Sequence, residues 1–239
     1  MKQLEPVKAA NNFIDKHFPE CQGAILAGSV VRGEDTETSD LDLVIFDKKL
    51  ASSYRESMFD FGWPIEIFVH NLTFYKYFME MDCKSAKPSM PRMISEGIIL
   101  KDEGIIESIK KEAADMLVKG PEKWTDNIIR TKRYFITDAL DDFTGSNNRA
   151  EDIFIANTLA QLIHEFILRT NGRWIGSSKW IVRALNDYNE NFTERFVDAF
   201  DVYYRTGEKG KIVKLVDNVL APYGGRLFEG FCMGKGSVK

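Results

Sequence analysis

Two aspartates, Asp40 and Asp42, stand in "SDLDLVIF", a run otherwise written for the inside of a β-strand. Residues i and i+2 of a strand point to one face, so the two carboxylates stand side by side. Two anions this close repel unless a proton or a cation holds them together. An oxygen pair of this kind suits Mg²⁺, which takes one or two carboxylates together with substrate phosphate oxygens. A third acid, Glu66, is set into a second apolar run, "WPIEIFVH", where a carboxylate is equally unexpected. If the two strands pair, three carboxylates converge. Ten residues separate Asp40 from the pair Gly28-Ser29, which closes the short apolar stretch "GAILA". Glycine lets the backbone approach closely, and the amides and hydroxyl that follow can cradle a phosphate. Singly, each feature has a plain reading: a turn, a solvated strand edge, a glutamate paired with a lysine. Jointly they describe a place where a metal-bound nucleoside triphosphate can react.

The elements that position these residues are legible in outline. "PVKAANNFIDKHF" has helical spacing, and "GAILAGS", "LDLVIF" and "PIEIFVH" are strand-like. Between the last two, "KLASSYRESMFDFG" reads as helical; "SAKPSMPRMI" reads as a proline-marked loop, and "EGIILKDEG" as an edge strand and turn. After Gly120-Pro121 the pattern changes to helices alone. "TDNIIRTKRYFITDALDDFTG" opens on a Thr-Asp cap, and "AEDIFIANTLAQLIHEFILRTNG" closes on Asn-Gly. Three further helical segments follow. The expected organisation is an α/β (α+β) unit over 1–120 with a mixed sheet, then an all-α bundle over 121–239.

The order strand, Gly28-Ser29, ten residues, Asp40-Leu41-Asp42 in a strand, then Glu66 in a later strand resembles the nucleotidyltransferase superfamily that includes DNA polymerase beta and the antibiotic nucleotidyltransferases. The resemblance covers about the first half of the chain. It implies transfer of a nucleoside monophosphate from an NTP, with ATP the default donor, to a hydroxyl, with two Mg²⁺ ions held by Asp40, Asp42 and Glu66. Glu66 has two open roles, metal ligand or general base. Gly28, Ser29 and Arg32 would steady the phosphates, although Arg32 is equally a loop arginine to pair with Glu34 or Asp35. A weaker similarity, through "RTNGRWIGSSKW" and "DAFDVYYRTG", links the second half to streptomycin/spectinomycin-type adenylyltransferases. It implies that Lys179 and Tyr204 contact the nucleotide; the plain alternatives are a solvated lysine and a core aromatic. Asp138, Asp141 and Asp142 are further candidates for a base. His164 lacks the second histidine of a zinc motif and reads as a helix-packed residue.

Composition narrows the partners. The 239 residues carry a net charge of −4, which argues against a protein built to grip nucleic acid. It fits a cationic small-molecule acceptor, such as an aminoglycoside-like antibiotic. The three cysteines match no zinc or CxxC spacing and read as free thiols. No signal-peptide core or membrane span is apparent, and a cytoplasmic location is expected. Two other functions fit the same residues: nucleotidyl transfer to a protein or tRNA, as in toxin–antitoxin systems, and a non-catalytic nucleotide sensor.

Overall fold

In the computed structural model, residues 4–234 are described, and the chain divides into two compact units, Met1–Gly120 and Pro121–Lys239. The first opens with α1 (Pro6–His17), capped by the Glu5 carboxylate, which accepts from the amides of Val7 and Lys8. There follow β1 (Gly23–Ala27), the single turn α2 (Ser29–Arg32), β2 (Leu41–Phe46), β3 (Tyr54–Asp60) and β4 (Trp63–His70). The unit is completed by α3 (Tyr75–Lys84), α4 (Ser89–Glu96), β5 (Ile98–Asp102) and α5 (Ile106–Lys119). The strands form one five-stranded sheet in the order β3-β4-β2-β1-β5. Only β2 and β4 run parallel among its pairs, so the sheet is mixed, as the sequence predicts.

Period-two alternation sorts the side chains of this sheet between two cores. Leu41, Leu43 and Ile45 of β2 join Ile65, Ile67 and Val69 of β4 against Ala9, Phe13 and Ile14 of α1. Val44 and Phe46 face the other way, onto Tyr75, Met79, Ile94 and Ile109 of the later helices. Asp42 and Glu66 belong by parity to that second face, beyond its apolar part.

Two expectations are corrected. "KLASSYRESMFDFG" is not helical: it holds β3, which pairs antiparallel with β4 from Tyr54↔Val69 to Asp60↔Trp63. The cause is the two-residue turn at Phe61 and Gly62, both at positive φ (52° and 84°). Two such residues make the tight reversal whose twist matches paired strands, and they fold the segment back as a hairpin. "SAKPSMPRMI" is not all loop, because α4 begins at Ser89. Pro88 stands at its N-cap position and Pro91 sits in its first turn, where a missing N–H removes no helical bond. The Asp82 carboxylate accepts from the Met90 amide, 2.7 Å away.

The second unit is helical throughout its core: α6 (Asp126–Gly145), α7 (Arg149–Thr170), α8 (Trp180–Tyr188), α9 (Glu190–Thr206) and α10 (Gly210–Leu220). The Thr125 hydroxyl caps α6, and Asn171 caps the end of α7. Leu140, Phe143, Phe166, Tyr203 and Val216 are among the side chains of one shared core. The basic start of α6 serves this packing. Arg133 donates to the Gly225 carbonyl at 2.9 Å, Arg130 to the Gly230 carbonyl, and Lys132 pairs with Glu165 at 2.6 Å. The segment after α10 is thereby strapped along α6, with the Phe231 ring stacked 3.9 Å from that of Tyr134. Among the described residues no helix is long and apolar enough to cross a membrane.

Candidate active site

Strand register assembles the acids. Asp42 of β2 stands opposite Ala27 of β1 on one side and Glu66 of β4 on the other, and Glu66 stands opposite Ser57 of β3. The four residues form one row across four strands, so Asp42 and Glu66 share a face. Asp40 lies just before β2, two residues from Asp42. One carboxylate oxygen from each of Asp40, Asp42 and Glu66 lies within 4.8 Å of the others.

The electrostatics follow from this crowding. Burial, then the charges of Asp40 and Glu66, push the Asp42 carboxyl up to about 6 from its ordinary 3.8, against partial relief from Arg32 and Arg55. An array of anionic oxygens that resists its own ionisation is the donor set a hard divalent cation would satisfy. The residues therefore fit Mg²⁺.

Gly28 makes the approach to Asp42 possible. Its φ of 84° and ψ of −161° lie in a region open essentially to glycine. A Cβ there would strike Oδ2 of Asp42. Ser29, which opens α2, is buried, and its hydroxyl donates to Ser39 Oγ at 3.2 Å. Ser39 Oγ in turn accepts from the Thr36 amide at 2.9 Å, tying down the loop between the Gly-Ser turn and Asp40. Arg32 pairs with Glu34 at 2.9 Å and lies 3.6 Å from Glu96. The loop-arginine alternative thus describes its place in this structure.

Glu66 has partners the sequence did not disclose. Arg55 Nε donates to Oε1 at 2.6 Å, and Arg55 Nη2 meets Oε2 at 2.6 Å. Ser57 Oγ adds a third bond to Oε1 at 3.3 Å. Both partners sit on β3, inside the segment that reads as helical. Strand alternation in "YRES" is the signal that places Arg55 and Ser57 on one face.

No protein-family model and no curated protein matches the chain. Among solved structures it is similar to a nucleotidyltransferase-like protein from Exiguobacterium sibiricum 255-15. The TM-score is 0.48 with 10% identity, over 90% of this chain and 74% of that one. A backbone likeness of this degree carries no chemistry, and the functional reading rests on the side chains.

The remaining candidates belong to the second unit. Lys179 is exposed at the N-cap position of α8. Tyr204, on α9, is 42% exposed, while its neighbour Tyr203 fills the core. The core-aromatic alternative thus belongs to Tyr203. Asp141 and Asp142 line an open hollow with Glu151 and Phe154, and Asp141 lies 3.8 Å from Arg226. His164 is buried, with Nε2 3.1 Å from the Gly176 carbonyl, the helix-packed residue expected.

Proposed function

We propose that this protein is a Mg²⁺-dependent nucleotidyltransferase that moves a nucleoside monophosphate, AMP from ATP by default, to a hydroxyl of a small molecule. The observation that carries this reading is the convergence of Asp40, Asp42 and Glu66 beside the Gly28-Ser29 turn. Magnesium, two ions by the superfamily resemblance, would supply positive charge for the phosphate oxygens and lower the pKa of the acceptor hydroxyl.

Each residue then has a task. Asp40 and Asp42 hold the metal, and Glu66 completes the oxygen set. The amides after Gly28 and the Ser29 hydroxyl orient the triphosphate, with Arg32 adding charge if it leaves Glu34. The acceptor oxygen attacks the α-phosphorus in line; that P–O bond forms as the bond to the bridging oxygen breaks, and pyrophosphate departs. The acceptor proton goes to a base. Arg55 engages both Glu66 oxygens, so in either role, base or metal ligand, Glu66 shares its carboxylate with that arginine. Lys179 and Tyr204 remain part of the proposal as nucleotide contacts of the second unit.

The acceptor is read from charge. Glu34, Asp35 and Glu37 are exposed on the loop that leads into Asp40. Such a loop attracts a polycationic acceptor of the aminoglycoside kind. The test incubates the protein with Mg²⁺, α-labelled ATP and an aminoglycoside panel. Label should move to an aminoglycoside with wild type and fall at least about a hundredfold with Asp42→Asn, the scale of losing one transition-state electrostatic contact. Bound but unconsumed nucleotide across all four NTPs would sink transfer to an aminoglycoside, and no labelled product from a cytoplasmic extract either would sink the transferase reading and leave a sensor.

A further inference from the structure

The partner of Glu66 points to a feature of the acid cluster that metal chemistry alone does not require. Arg55 engages both Glu66 oxygens, at 2.6 Å each, in a two-point fork. The glutamate is only 16% exposed, whereas the arginine side chain is 63% exposed on β3, which lies at the edge of the sheet. The guanidinium carbon also lies 4.9 Å from the centre of the Phe68 ring, one strand over. A cation bound among Asp40, Asp42 and Glu66 must take a Glu66 oxygen that now accepts from Arg55. Guanidinium does not shed its proton, so a divalent cation on the same carboxylate repels it, and moving away relieves that repulsion. Its exposed edge position gives it freedom to do so, and the Phe68 ring it already lies over can go on holding the cation once Glu66 is released.

We infer that Arg55 is the resident counter-ion of the acid cluster: it neutralises and positions Glu66 until a divalent cation displaces its guanidinium, and so sets the metal affinity of the site. This rests on the metal-site reading above. Arg55 is a positioning residue, and no bond to substrate is assigned to it. The exchange keeps the cluster compensated in both states, one monovalent cation leaving Glu66 as the metal arrives. It also makes metal binding a competition rather than a simple addition.

The experiment titrates the full chain with Mn²⁺, without nucleotide, and reads the free ion by electron paramagnetic resonance. Arg55→Gln, which removes the competing charge, should bind Mn²⁺ about tenfold tighter than wild type, the scale of one unit charge a few ångströms away in a partly solvated site. Arg55→Lys, which keeps the charge but not the fork, should fall between the two. If Arg55→Gln binds equally or more weakly, Arg55 merely props Glu66 and the inference is overturned; the same holds if Lys binds as tightly as Gln. Asp42→Asn is the control on the underlying reading. Loss of Mn²⁺ affinity there supports the metal site whatever Arg55 does, and unchanged affinity removes the metal site and the inference together.

Discussion

An ionised Asp42 is unfavourable in the metal-free fold, and that has a measurable sign. Its folded-state value of about 6 lies above the ordinary 3.8. The protonated carboxyl therefore favours the fold fully below pH 3.8, and the advantage is lost as pH rises through 6. In EDTA at pH 7.5, Asp42→Asn should be more stable than wild type by on the order of 2 kcal/mol, with the gap closing towards pH 4. Paired denaturant titrations at the two pH values check this. A variant less stable than wild type at pH 7.5 would mean that the Asp42 charge is compensated within the chain. The same substitution should abolish transfer, so one residue would trade stability for chemistry.

At the scale of elements, the β3–β4 hairpin decides whether Glu66 reaches the site. Gly62 holds φ at 84° in its turn. Gly62→Val, at a position costly to a β-branched side chain, should lower stability by about 1–2 kcal/mol. Mn²⁺ affinity should fall with it, because a strained turn loosens the register that sets Glu66 beside Asp42. Calorimetry and the Mn²⁺ titration read the two effects separately, and unchanged affinity would uncouple turn from site. This hairpin also marks the limit of what was legible. The strands carrying Asp42 and Glu66 announce themselves, since an acid in an apolar run has few structural excuses. β3 does not, because Leu50, Tyr54 and Met58 fall four apart and imitate one face of a helix. What overrides that spacing is positive φ at Phe61, a residue whose type gives no warning of it. The helix-like spacing masks Arg55 and Ser57: alternation in "YRES" puts them on one face, but only the pairing of β3 with β4 brings that face to Glu66. Likewise α4 was obscured by prolines that a helix tolerates in its first turn.

Across the whole molecule, the three thiols form a built-in gauge. Cys21 is buried in the core under α1, Cys83 is partly buried, and Cys232 is exposed. A thiol reagent should modify Cys232 at once and Cys21 only when the first unit opens. If the acid cluster holds Mg²⁺ as proposed, the ion would lower the population of opened forms. It should therefore slow Cys21 labelling at pH 7.5 and leave Cys232 unchanged, as peptide mass mapping would show; equal slowing or none would contradict metal binding in the first unit.

The row Ala27, Asp42, Glu66, Ser57 also says where this lineage is free to vary. One residue added inside β2 or β4 inverts parity and carries an acid to the opposite face. The exposed stretch 33–38 obeys no such arithmetic. It can lengthen, shorten or change charge while both ends stay pinned by Ser29 and Ser39. On the proposed function, new acceptor preferences would arise by insertion there, with the strands that carry the acids left at fixed length.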